Sequence, residues 1–273
     1  MTLARLKRVR PTTAVLVLLV LIYVFAAVFA PWVAPYDPFR PITPLSPPGA
    51  EHLMGTDQIG RDVLSRTIYG ARVSLLVGVV SVAIGVFVGT SLGLLAGYVP
   101  RVEPVVMRVM DALWAYPAVL LALGLGVAVG PGFWTVVSAI GIVYTPVFAR
   151  LAYGQTLAVK EREFVIGAIS LGASPFRVVL RHILPNIQAA LVVQFTLSVG
   201  TAMIFESTLS FLGLGIQPPT PSWGVILRNG YSWMHIAPWI AIAPGVAIFG
   251  IVLALNLLGD RLRIALDPRN RGR

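Results

Sequence analysis

The sequence predicts an all-α membrane protein with six transmembrane helices and both termini in the cytoplasm. Three observations carry that reading. Of 273 residues, 57% are apolar and only 12% charged, whereas a soluble domain carries about 25% charged residues. The apolar residues gather in six blocks, residues 13–30, 73–99, 112–130, 133–149, 187–205 and 239–258, each near the roughly 20 residues that cross a bilayer. Basic residues, finally, crowd alternate connections, as cytoplasmic loops do. With the N-terminus inside, Arg5, Lys7, Arg8, Arg10, Arg101, Arg108, Arg150, Lys160, Arg162, Arg177, Arg181, Arg261, Arg263, Arg269, Arg271 and Arg273 are cytoplasmic, and only Arg40, Arg61, Arg66, Arg72 and Arg228 lie outside.

Composition removes several function classes. A disordered chain needs low hydrophobicity and high charge. The absence of cysteine removes disulfides, thiolate metal sites and cysteine nucleophiles. The net charge of +10 would suit nucleic acid if it covered one soluble face. It is spread over membrane connections instead, so it reads as topology and no nucleic-acid partner is expected.

The first block has the basic flank of a signal peptide, but Pro31, Trp32 and Pro35 follow it in place of a small-residue cleavage site, which predicts a retained anchor. Residues 1–71 form an N-terminal tail, this anchor and an outer segment. Prolines at 31, 35, 38, 41, 44, 47 and 48 forbid helix there and favour an extended path over the surface. Asp57 is expected to cap a short outer helix, with Asp62 and Arg66 paired one turn apart. A substrate contact is the other reading of Asp57. Residues 72–260 form the membrane core, with a cytoplasmic stretch at 155–186, and residues 261–273 a basic tail.

In the second block Ser81, Gly85, Gly89, Gly93 and Gly97 recur every fourth residue. On a helix they form a smooth strip, and lipid-embedded helices associate through such strips. The ladder is expected to pack against another helix of a complex. Arg108 and Asp111 are expected to pair at the start of the third block, and Pro117, Pro146 and Pro244 to kink their spans.

No nucleotide loop is present, because neither lysine, Lys7 or Lys160, follows glycine. His52, His182 and His235 include no His-x-x-x-His pair. Lone exposed histidines are the plain reading, no metal site is expected, and no Gly-x-Ser-x-Gly elbow marks a serine nucleophile. No catalytic residue is expected.

The cytoplasmic stretch is the most informative. Glu161, Phe164, Val165 and Ala168 share one helical face, Gly172 suits the left-handed end of a helix, and Ser174 with Pro175 suits the start of a second. Arg177, Arg181 and His182 follow. Two short helices around a glycine turn make a charged knob, fit to dock a protein; an amphipathic loop on lipid headgroups is the alternative. Glu206 is the only acid placed away from a membrane edge by the block boundaries. Such a residue must face a polar interior or sit wet at the outer end of its span. Leu209, Phe211 and Leu212, within two turns, are candidates for an apolar gate beside it.

Leu171-Gly172-Ala173-Ser174 with His182-Ile183-Leu184-Pro185 resembles the Glu-Ala-Ala loop of bacterial ABC-importer permeases, although Ile166, Gly167 and Ala168 stand where the Glu-Ala-Ala itself would be. Glu163 is one turn earlier. Gly55-Thr56-Asp57-Gln58-Ile59-Gly60-Arg61-Asp62, Glu206-Ser207-Thr208-Leu209-Ser210-Phe211-Leu212-Gly213-Leu214-Gly215 and Pro221-Ser222-Trp223-Gly224 resemble the C-type permease of dipeptide and oligopeptide importers. The resemblance covers residues 53–267. It implies the type I ABC-importer permease fold and a multi-pass subunit of the bacterial inner membrane. It also implies a second homologous permease, two ATPase subunits that hold ATP and Mg, and an extracytoplasmic substrate-binding protein. No cofactor is expected in this chain. Glu163, Ile166, Gly167, Ala168, Leu171, Gly172, Ala173, Ser174, Pro175 and Arg177 would then meet the ATPase. Peptide, nickel, glutathione or another small solute is the implied cargo; an ATP-independent transporter or channel is the rival class.

Overall fold

Long helices dominate the computed structural model, which describes residues 11–266. The basic residues Arg5, Lys7, Arg8, Arg10, Arg269, Arg271 and Arg273 lie outside the described residues. Helix α1 (Pro11–Val28) and the short α2 (Ala30–Val33) lead into an irregular segment. Then come α3 (Val63–Tyr98), α4 (Glu103–Ala115), α5 (Ala118–Val129), α6 (Phe133–Lys160), α7 (Glu163–Ser170), α8 (Pro175–Val178), α9 (Leu184–Phe211), α10 (Trp223–Tyr231) and α11 (Trp239–Leu266). Among the described residues there is no strand, only an isolated bridge between Thr56 and Asp62.

Five helices, counting Pro175–Phe211 as one, are long and apolar enough to cross a membrane alone. The third expected block is not one span. Chain direction breaks by 88° between α4 and α5, where Pro117 has no N–H to continue the ladder and Tyr116 takes extended backbone (ψ 131°). The twelve residues of α5 rise only about 18 Å, short of a hydrocarbon core of about 30 Å. Pro117 therefore breaks the span outright, while Pro146 and Pro244 sit inside continuous helices.

Block boundaries set by hydropathy also move. Asp62 caps α3 by accepting from Ser65 N (2.7 Å), so that helix begins well before residue 73. Helix α6 continues past residue 149 to Lys160, whose Nζ donates to the Gly97 carbonyl (3.2 Å).

Helices α3 and α6 form the most extensive pair. They run parallel, Gly85 lying against Tyr144 and Gly97 against Thr156. Helix α9 runs antiparallel to α3, with Met203 against Gly78 and Glu206 against Ser74, and α11 antiparallel to α9, with Gly259 against Leu197. Helix α1 lies against α11 through Tyr23 at Gly250 and buries only Ala27. The chain crosses back and forth, so the start of α1 and the end of α11 share one end of the bundle with α7. The irregular segment and α10 occupy the opposite end.

The glycine ladder packs against another helix, as expected, and that helix is α6 of its own chain. A Cβ at Gly89 would come within 3.0 Å of Thr145 O, Ala149 N and Phe148 Cβ, and one at Gly93 equally close to Ala149 O and Ala152 Cβ. Helix α6 answers with small residues of its own, Gly141, Thr145, Ala149, Ala152 and Thr156, all buried. One expected pair changes partner: Asp111 bonds Arg150 of α6 (2.5 Å), not Arg108, because α4 lies along α6. The Arg150 guanidinium also covers the Trp114 ring, 4.2 Å from its centroid.

Candidate functional site

The knob is built at the α6–α9 junction. Glu163 places its charge in the first turn of α7, where the helix dipole favours an acid. Gly172 (φ +81°) ends the helix in a Schellman motif: its N–H donates to Ile169 O (2.9 Å) and that of Ala173 to Ala168 O (3.0 Å). No heavy atom lies within 4 Å of where a Gly172 Cβ would stand, so backbone conformation alone demands glycine.

Ser174 occupies the N-cap position of α8 with extended backbone, but its side chain makes no capping bond. The cap expected of Ser174 is thus missing, and Pro175 at the first helical position only removes one N–H that would need a partner. Nor is the second helix a separate short one. Helix α8 continues through a π-helical turn, Val179–Ile183, into α9. Pro185 explains the turn, because its ring cannot fit a regular ladder and a widened turn accommodates it. Asn186 Nδ2 donates to the His182 carbonyl there (2.6 Å).

The knob is apolar as well as charged. Val165 and Val178 are buried in it. Phe164, Ile166, Ile169, Leu171 and Phe176 are exposed, Leu171 by 90% and Phe176 by 75%. Gly167, Ser174, Pro175 and Arg177 are also exposed, Ala168 and Ala173 half-buried. Among the described residues Glu163, Arg177 and Arg181 form no ion pair. Exposed apolar side chains beside free charges of both signs have the composition of a protein contact. The residue types were legible in the sequence; which of the apolar ones stand exposed was not.

At the opposite end Glu206 is fully buried. Its carboxylate accepts from Ser74 Oγ (2.9 Å) and Ser210 Oγ (2.8 Å), with Ser207 Oγ at 3.4 Å. Glu206 therefore faces a polar interior, as one reading expected, and does not sit wet at the end of its span. Leu209 is buried in the core. Phe211 is half-buried against Tyr231, ring centroids 5.7 Å apart, and Leu212 is 52% exposed. Of the four gate candidates, only these two remain near a surface.

The irregular segment reverses three further expectations. Asp57 caps no helix. It closes the turn at 57–61, accepting from Ile59 N and Arg61 N (3.0 Å each) and from Arg61 Nε (2.7 Å). The Arg66 guanidinium lies 3.6 Å from Asp57 and donates to Pro38 O (3.0 Å) instead of pairing with the Asp62 carboxylate. His52, expected to be exposed, is buried with Nδ1 2.9 Å from Asp62 Oδ1. Trp239 Nε1 donates to Thr56 O (3.1 Å) and ties the segment to α11. Among the described residues no cluster of His, Asp or Glu could hold a metal.

Comparison with known proteins agrees with this architecture. Residues 85–272 match the family described as binding-protein-dependent transport system inner membrane component. The di/tripeptide transport system permease protein DppC of Pseudomonas aeruginosa (strain UCBPP-PA14) is 46% identical over 261 residues, 92% of this chain and 86% of that protein. The glutathione transport system permease protein GsiD of Escherichia coli O6:K15:H31 (strain 536 / UPEC) is 47% identical over 259 residues, 93% and 86% of the two chains. Among solved structures, the MetNI methionine ABC transporter in an inward-facing conformation superposes with a TM-score of 0.61 over 74% of this chain and 96% of that one, at 18% identity. That likeness is one of fold.

Proposed function

From the premise that this chain belongs to the binding-protein-dependent transport system inner membrane component family, we propose that it is a non-catalytic permease subunit forming half of the translocation pathway of an ATP-driven importer of dipeptides or oligopeptides. Helix α7 and its turn dock an ATPase subunit. Two such ATPases supply ATP and Mg, a second permease of similar fold completes the pathway, and an extracytoplasmic protein delivers the solute. The knob end then faces the cytoplasm of a bacterium and the protein spans its inner membrane. Glutathione, carried by the named relative GsiD, is a tripeptide-sized cargo of the same chemistry and the second reading.

One observation carries the proposal: five exposed apolar side chains flanking the Gly172 turn stand at the end where α1 begins and α11 ends. Left bare, such a patch would cost solubility; an ATPase groove buries it. The test is Leu171→Asp in the complete transporter in proteoliposomes. Burying an unpaired carboxylate in an apolar contact opposes docking, so ATPase binding should weaken at least tenfold and solute uptake fall with it. Unchanged binding and uptake would remove the knob from the ATPase contact. Uptake independent of ATP would support the secondary-transporter class.

A further inference from the structure

We propose that Glu206 is the fastening point of a strap that holds residues 212–225 and helix α10 onto α3 and α9. Two serines make the joint. Ser74 Oγ on α3 accepts the Trp223 N–H (3.2 Å) and bonds Glu206. Ser210 Oγ on α9 accepts the Ile216 N–H (3.2 Å) and bonds Glu206. Ser222 Oγ, the N-cap of α10, accepts the Val225 N–H (3.3 Å) within the strap itself.

A hydroxyl has one proton to give. Ser74 and Ser210 each receive a backbone N–H, so each aims its proton at the carboxylate, which only accepts when ionised. The carboxylate thus orients two hydroxyls, and each hydroxyl anchors one amide of the strap. One of those amides, Trp223, belongs to the first turn of α10, whose N–H groups have no helical partner and whose dipole favours a nearby anion. The arrangement answers the cost of burying the charge without a cation, since charge-assisted bonds are about twice as strong as neutral ones.

Packing closes the same contact. A Cβ on Gly224 would meet Ser207 O at 2.6 Å, and one on Gly215 would overlap Ser210. Trp223 is buried, its Nε1 donating to Thr67 O (2.8 Å). The stretches 206–210 and 221–224 are therefore two halves of one joint. As a result α10 moves only with α3 and α9, whatever solute the chain passes.

Hydrogen exchange of the complete transporter in nanodiscs tests this. In Glu206→Gln the side-chain amide brings donors against serine donors. Peptides spanning 216–225 should exchange roughly tenfold faster or more, the expectation for losing one charged hydrogen bond. Peptides from 85–97 and 141–156 should keep wild-type rates. Unchanged exchange at 216–225, or an equal rise in both regions, would overturn the strap. Should Glu206→Gln fail to assemble, Ser74→Ala and Ser210→Ala decide: the first should loosen the peptide at Trp223 and the second that at Ile216. The same response to both, or none, would overturn it.

Discussion

Replacing Gly89 by alanine adds one carbon at a tight part of the α3–α6 contact. That carbon would stand within 3.0 Å of a backbone oxygen, a backbone nitrogen and the Phe148 Cβ, where ordinary contact needs about 3.5–4.0 Å. None of these is the free end of a side chain, so relief requires the helices to part by about 0.5–1 Å. Overpacking costs about 1–3 kcal/mol, and the rigid surroundings place Gly89 near the upper value. Alanine recovers about 1 kcal/mol of helix propensity, leaving a net loss of about 2 kcal/mol. Gly124, inside α5 with no heavy atom within 4 Å, gains the propensity without the clash. The two variants should differ by about 3 kcal/mol, or about 6–12 °C in Tm at about 2–4 °C per kcal/mol. Thermal unfolding of the purified chain in detergent measures this. If Gly89→Ala melts with or above Gly124→Ala, the helices do not pack through the ladder.

At the opposite end, Asp62→Ala removes the α3 cap and leaves buried His52 unpaired, a combined loss of about 2–4 kcal/mol. Asp62→Asn, which keeps a capping oxygen, should lose about half as much in the same melting assay; equal losses would assign the stability to the carboxylate charge of Asp62 and not to its cap. Pro117→Ala restores an N–H at the 88° break. Spin labels at Val105 and Val127 should then separate from roughly 22 Å toward roughly 33 Å at about 1.5 Å per residue, and an unchanged distance would assign the bend to packing on α6.

What could be read in the sequence follows from which forces act locally. Bilayer thickness imposes the apolar blocks, so all six appear in composition. Their ends answer to other physics: an Asp62 carboxylate starts α3 inside sequence too polar to look membranous, and one proline turns the third block into two helices. Gly172 was legible because only glycine takes φ +81° freely. Ser174 was not, because a cap depends on where a hydroxyl points. The buried acid shows the sharper limit. Its type and place announced a polar partner, but Ser74 lies 132 residues away in sequence, and no periodicity links the two. A usable signal was present all the same. Inside a membrane every polar group must be satisfied within the protein, so a lone Glu206 without a nearby cation requires hydroxyls or amides from other elements. Ser222, beside buried Trp223 and before the close-packed Gly224, stood in the second half of the resemblance to C-type permeases. The carboxylate and this stretch were both in view, and what brings them together is the packing of α10 on α9, Gly224 against Ser207, which only the folded chain displays.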